Sequence, residues 1–167
     1  MPEQDEIEIK FVLDDPEAMR NALRRLGAQE RGQRVEMNLR LDDPAHSLTG
    51  QGIVLRIRRL EQDNRVRYIL TVKTPRLLRG DLQLSTRREI EFETADGEAL
   101  QRSYEVLGYT PYWRYEKRRE VFTLTGAEIV LDEMPFGWFM EVEGSEASIH
   151  RALAGLGLNV ADGIPLS

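Results

Sequence analysis

The sequence predicts an α+β fold: an eight-stranded antiparallel β-barrel, or tunnel, with about three helices packed outside. Three observations predict it. Period-two alternation of apolar and ionised residues dominates the chain, the signature of strands with two unlike faces. Eight such runs fit within 167 residues, joined by short turns. Three stretches between them carry helix start and stop signals. Eight antiparallel strands with few obvious edge defences favour closure of the sheet on itself.

The first strand spans about Glu6–Leu13, reading E-I-E-I-K-F-V-L. A helix follows from Asp14–Glu17: aspartate caps it, Pro16 suits the first turn and Gly27 stops it. Further strands fit at Arg34–Leu41, Ile53–Leu60, Val66–Thr74 and Thr86–Thr94. A second helix covers about Asp96–Leu107 and ends at Gly108. Strands then fit at Trp113–Leu124, Glu128–Asp132 and Trp138–Glu143. The last helix, Glu146–Leu156, ends at Gly157. Asp63-Asn64 and Thr125-Gly126 have the composition of hairpin tips. The two halves look related, since Glu6-Ile7-Glu8-Ile9 leads into D-D-P-E and a helix ending Leu26-Gly27. Glu89-Ile90-Glu91-Phe92 leads into A-D-G-E and a helix ending Leu107-Gly108.

Composition sets outer limits. Residues 1–167 read as one domain with a real core, at 41% apolar and 31% charged residues. A formal net charge of −6 argues against non-specific nucleic-acid binding, which needs a basic excess. No cysteine is present, which excludes disulfides and thiolate metal sites. No apolar run approaches membrane-spanning length and no signal peptide is visible, so no membrane association is expected and a cytoplasmic location is the default.

Sorting each strand by face separates its chemistry. Glu6, Glu8 and Lys10 share one face of the first strand, while Ile7, Ile9 and Phe11 share the other. Arg56 and Arg58 oppose Leu55 and Ile57. Thr71 and Lys73 oppose Leu70 and Val72. Arg87, Glu89 and Glu91 oppose Ile90 and Phe92. Lys117 and Arg119 lie together, the seventh strand ends at Asp132, and Glu141 and Glu143 flank Val142. For any one strand the simpler account is a one-sided sheet with its charges in water. The charges segregate, however: carboxylates on the first, fifth and last strands, cations on the third, fourth and sixth. A closed barrel with the ionised face inward would gather both sets.

Ionised groups turned inward need partners. Hard cations such as Mg²⁺ or Mn²⁺ take carboxylate and water oxygens, commonly together with substrate phosphates. Glu6, Glu8, Asp132, Glu141 and Glu143 could supply such ligands. Arginine and lysine bind phosphate by charge-assisted hydrogen bonds, and Lys10, Arg56, Arg58, Lys73, Arg87, Lys117 and Arg119 suit that role. Several cations on successive strands fit a chain of phosphates better than a single one. Lys10 and Glu8 are the candidates for a direct part in catalysis.

These residues carry a family resemblance. Glu6-x-Glu8-x-Lys10, Leu55-Arg56-Ile57-Arg58, Leu70-Thr71-Val72-Lys73, Arg87-x-Glu89-x-Glu91, Lys117-x-Arg119, and Asp132 followed by Glu141-x-Glu143 resemble, in order, the signature of the CYTH, or triphosphate tunnel metalloenzyme, superfamily. That superfamily includes class IV adenylyl cyclases, thiamine triphosphatases and inorganic triphosphatases. The resemblance implies an eight-stranded tunnel holding a triphosphate-containing small molecule on its basic residues and metal ions on its acidic ones. Members are often dimers, so it also allows a homodimer.

Class IV cyclases tend to carry a His-Phe pair before E-x-E-x-K. Met1–Asp5 has neither residue, which favours hydrolysis over cyclisation. Many relatives also continue with a segment that helps close the tunnel; here the sequence stops at Ile164-Pro165-Leu166-Ser167, and that element is expected to be absent or to lie beyond it. A module that only binds polyphosphate or nucleotide, and a salt-bridged structural sheet, are the non-enzymatic alternatives. His46 and His150 read as surface residues. Tyr112, Trp113, Tyr115 and Trp138 read as packing residues or as stacking surfaces for a base or thiazole. Pro75–Leu84 reads as a hairpin connection or a loop over a tunnel mouth.

Overall fold

A computed structural model of the chain describes residues 3–78 and 84–165. Among the described residues there are nine strands: β1 (Glu3–Leu13), β2 (Gln29–Asp42), β3 (Val54–Gln62), β4 (Arg65–Lys73), β5 (Leu77–Leu78), β6 (Ser85–Thr94), β7 (Thr110–Leu124), β8 (Ala127–Met134) and β9 (Gly137–Glu143). Four α-helices accompany them among the same residues: α1 (Pro16–Arg25), α2 (Ser47–Gly50), α3 (Gly97–Val106) and α4 (Glu146–Leu156). The strand order is β1-β9-β8-β7-β2-β3-β4-β6-β5, with β1 also pairing with β6. Eight strands therefore close into an antiparallel barrel, and two-residue β5 is an extra strand on β6. No helix among the described residues is long and apolar enough to cross a membrane.

Local chemistry explains the element ends. Asp15 caps α1 by accepting from Ala18 N at 2.9 Å, with Pro16 in the first turn. Asp96 caps α3 identically, accepting from Ala99 N at 2.9 Å. Both helices end in leucine at φ −80°, ψ −2°, followed by a glycine with positive φ, Gly27 or Gly108. The two strand–helix segments thus share caps at both ends, as their sequence likeness suggests. Asp63 and Asn64, both at positive φ, make the two-residue turn between β3 and β4, the left-handed geometry that matches strand twist. Thr125-Gly126 does the same between β7 and β8.

The chain packs as two compact units. Unit 1 comprises Met1–Asp5, Arg34–Arg76 and Arg87–Lys117; unit 2 comprises Glu6–Gln33, Leu77–Thr86 and Arg118–Ser167. In unit 1 the apolar strand faces, Leu39, Leu41, Leu55, Ile57 and Leu70, pack with Leu100 and Tyr104 of α3 and Leu48 of α2. In unit 2 Ile9, Phe11, Ile129, Leu131, Met140 and Val142 pack with Leu23 of α1 and with Ile149, Ala152 and Leu153 of α4. One face of each sheet segment is thereby covered, which determines where the opposite, ionised face can go.

Several elements exceed the sequence expectation. β1 starts at Glu3 and β2 at Gln29, both ahead of the stretches where the sequence alternates strongly. Helix α2 was not expected. It is organised by Asp42, whose carboxylate accepts from the backbone N–H of Asp43, Leu48 and Thr49 and from the Thr49 hydroxyl. Residues 79–83 of the Pro75–Leu84 connection, Gly80 among them, Met1 and Pro2 of the leading segment, and Leu166-Ser167 lie outside the described residues.

Candidate functional site

In unit 1 the ionised face is buried. Arg56, Arg58, Thr71, Glu89 and Lys117 are each less than a tenth exposed, and Glu36 and Asn38 are fully buried. A sheet with its charges in solvent does not look like this. Strand register puts Arg40, Arg56, Thr71 and Glu91 in one row across β2, β3, β4 and β6, with Lys73 opposite Glu89. Arg56 donates from Nη2 to Thr71 Oγ1 at 3.4 Å, and Thr71 donates to Glu91 at 2.8 Å. Arg58 Nε donates to Asn38 Oδ1 at 3.1 Å and lies 3.4 Å from Glu36. Lys117 approaches the same Glu36 at 3.6 Å, and Lys73 lies 3.2 Å from Glu89. Arg87 donates to the Gly52 carbonyl at 3.1 Å.

The electrostatics of this cluster are positive. Burial alone would raise the Tyr115 phenol, but Arg56 and Lys117, with a hydrogen bond from Arg56, pull it below its ordinary value. Burial likewise opposes ionisation of Glu91, yet Arg58 and the Thr71 hydrogen bond hold its carboxyl below the usual range. Two buried donors, Arg56 Nε and Asn38 Nδ2, have no hydrogen-bond partner among the described residues. Unsatisfied buried donors are costly. Donors beside several guanidinium and ammonium groups are suited to an anion carrying many acceptor oxygens.

Unit 2 carries the carboxylates. Glu8, Glu143 and Glu128 stand directly opposite one another across β1, β9 and β8, an arrangement of like charges that repels. Burial pushes Glu143 up first. Glu6, through its charge and a hydrogen bond, and then Glu128 and Glu8 push it further, to about 9. A carboxyl held protonated by its neighbours at neutral pH is one that a cation would let ionise. Asp132 lies opposite Arg119, which grips it through Nε at 2.7 Å and Nη2 at 2.6 Å and also reaches Glu141 at 3.0 Å. Lys10 is 3.6 Å from Glu141 and stands over the Phe139 ring at 4.9 Å.

The expected phosphate-binding residues therefore divide. Arg56, Arg58, Lys73 and Lys117 gather in unit 1, with Arg87 on the same face of β6. Lys10 and Arg119 sit among the carboxylates of unit 2. All five expected metal ligands, Glu6, Glu8, Asp132, Glu141 and Glu143, are in unit 2. Among the described residues no three acidic or histidine side chains are already gathered as a metal cage. The donor chemistry still suits Mg²⁺ or Mn²⁺, because all five are hard oxygen ligands.

Sequence reasoning missed Glu36 and Asn38 in unit 1 and Glu128 in unit 2, and it read Tyr115 as a packing or stacking residue without its tie to the buried cations. The signal was present. Residues 35–41 read V-E-M-N-L-R-L, so Glu36, Asn38 and Arg40 share a face, and Tyr115 is in phase with Lys117. A face mixing an acid, an amide and a base does not stand out as a charge cluster.

The CYTH domain profile matches residues 4–156, which is most of the chain. The chain belongs to the CYTH domain family. CYTH-fold solved structures superpose over nearly its full length. A Pyrococcus horikoshii OT3 protein is 24% identical, with a TM-score of 0.79 over 97% of this chain and 96% of its own. A candidate adenylate cyclase from Vibrio parahaemolyticus is 24% identical, with a TM-score of 0.79 over 98% and 95%. A candidate adenylyl cyclase from Hippeastrum, whose dominant activity is that of a triphosphatase, is 22% identical, with a TM-score of 0.69 over 89% and 84%. At these identities the likeness establishes the shared fold. No curated protein matches the chain.

Proposed function

We propose that this CYTH protein is a metal-dependent enzyme that binds a triphosphate and hydrolyses it. The observation that carries the reading is the buried cation cluster of unit 1, where Arg56 and Asn38 keep donors without acceptors among the described residues. In this reading Arg56, Arg58, Lys73, Arg87 and Lys117 grip phosphate oxygens. Glu6, Glu8, Asp132, Glu141 and Glu143 hold one or two divalent cations. Mg²⁺ or Mn²⁺, when bound, supplies Lewis acidity that neutralises phosphate charge and lowers the pKa of an attacking water. Arg119 holds Asp132 and Glu141 in place through its hydrogen bonds, and Lys10 with Glu8 takes direct part in the chemistry. Water attacks the terminal phosphorus and the bridging P–O bond breaks, its electron pair leaving with the diphosphate portion of the substrate; orthophosphate forms and a proton is released to solvent.

The dominant triphosphatase activity of the Hippeastrum protein supports hydrolysis. The Vibrio parahaemolyticus cyclase candidate supports a second reading, in which a ribose 3′-hydroxyl attacks the α-phosphorus of ATP and pyrophosphate leaves. One assay separates them. Phosphate release and cyclic-nucleotide formation are measured on tripolyphosphate, thiamine triphosphate and ATP, with and without Mg²⁺ or Mn²⁺. Phosphate release that requires the metal is the expected result. Cyclic AMP as the main product would replace hydrolysis by cyclisation. Tight binding without either product would make the protein a binding module.

A further inference from the structure

We infer that Trp113 is a stacking platform for the neutral base of a nucleoside triphosphate, and so selects this substrate class over inorganic tripolyphosphate. The inference rests on the triphosphate-binding reading of unit 1. All of its parts lie in that unit.

Trp113 is 43% exposed, unusual for the largest side chain in a protein. It is not a loose surface residue. Its ring lies 4.9 Å from that of Tyr115, tilted by 39°, and the Arg40 guanidinium stands 5.5 Å from its centroid. Arg40 also stands 5.7 Å from the Tyr112 ring. Tyr112 is itself fixed, edge-on to His46 at 5.0 Å and with its hydroxyl 3.3 Å from Thr49 Oγ1. That hydroxyl contact leads back to Asp42, which accepts from Thr49. The indole is thus oriented from two sides while much of it stays open to solvent.

Its neighbour gives the open surface a purpose. Tyr115 lies within the electrostatic reach of Arg56 and Lys117, so the path from Trp113 to the buried cations is one aromatic residue long. A ligand with phosphates on Arg56 and Arg58 would bring whatever those phosphates carry toward the indole. Base–aromatic stacking is tolerant of sequence because every base has a π-face. Arg40 narrows the choice. A guanidinium beside the ring disfavours a second cation, so a neutral base is preferred to a thiazolium.

Two measurements test it. The sequence contains two tryptophans, Trp113 and Trp138, so the Trp138→Phe variant reports from Trp113 alone. With metal chelated, ATP is expected to quench its fluorescence at concentrations where tripolyphosphate leaves it unchanged. Equal responses to the two, or none to either, would overturn the inference. In turnover, Trp113→Ala is expected to lower kcat/KM for ATP about tenfold and to leave tripolyphosphate and thiamine triphosphate within about twofold. An equal loss on all three substrates would overturn the platform and leave the triphosphatase reading standing. ATP-selective quenching with no turnover of any substrate would remove the enzymatic reading and leave the platform standing.

Discussion

Arg119 and Asp132 face each other across β7 and β8 and join through two parallel hydrogen bonds of 2.7 and 2.6 Å, both side chains nearly buried. The fork–fork geometry is the strong form of the arginine–carboxylate pair. Removing one partner strands the other charge away from water. Arg119→Ala is expected to cost about 3–5 kcal/mol in urea unfolding. Asp132→Asn, which keeps shape and some hydrogen bonding, should cost less. A loss below about 1 kcal/mol in Arg119→Ala would show that the pair is no more than a surface contact.

A second prediction concerns acid. Burial alone would raise the Asp42 carboxyl, but hydrogen bonds from the Thr49 side chain and backbone, Leu48 and Asp43 hold it at about 2. The ordinary aspartate value is about 3.9. The stability this carboxylate adds is fully present above that value and is lost as pH falls toward 2. Melting temperature between pH 5 and 2 should therefore fall more steeply in the wild type than in Asp42→Asn, which should already be less stable at pH 7. Parallel curves would contradict the assignment.

Gly97 opens α3 with its backbone against the Tyr68 ring. A methyl group there would overlap the ring carbons, and the surrounding unit 1 side chains leave a hollow of about 160 Å³ nearby. Gly97→Ala is expected to destabilise by about 1–3 kcal/mol through overpacking. The Gly97→Ala, Tyr68→Ala pair should cost no more than Tyr68→Ala alone, because the clash is then gone. Additive losses would place the cost elsewhere.

Metal binding has a readout that does not need turnover. If the unit 2 carboxylates hold a divalent cation, Mg²⁺ or Mn²⁺ at about 100 times its Kd should stabilise the wild type by about 2.7 kcal/mol. Glu8→Gln removes a ligand charge from the row Glu8–Glu143–Glu128 and should lose most of that gain. Identical metal-induced shifts in both proteins would take Glu8 out of the ligand set.

Much of the barrel was legible because period-two alternation is imposed by strand geometry itself. One face of each strand had to be covered, and the helices that cover it carry strong caps at Asp15 and Asp96. Strand ends were less legible: β2 begins at Gln29, ahead of its alternating stretch. Helix α2 is held by one carboxylate accepting from three backbone N–H groups, an arrangement with no periodic signal. At the site, clusters of one charge sign were readable, as with Arg56 and Arg58. Asn38 and Glu36 were not, because their importance lies in what they touch. Arg119 shows the same limit: its type was legible, but its pairing with Asp132 follows from strand register.

The central claim is that the buried cations of unit 1 bind a triphosphate. Calorimetric titration of tripolyphosphate into the wild type and into Arg58→Ala, with metal chelated, tests it most directly. Binding in the wild type and a loss of at least about tenfold in the variant, the order expected for a charge-assisted contact, is the predicted result. Equal affinity in the two proteins, or no binding by the wild type, would contradict it.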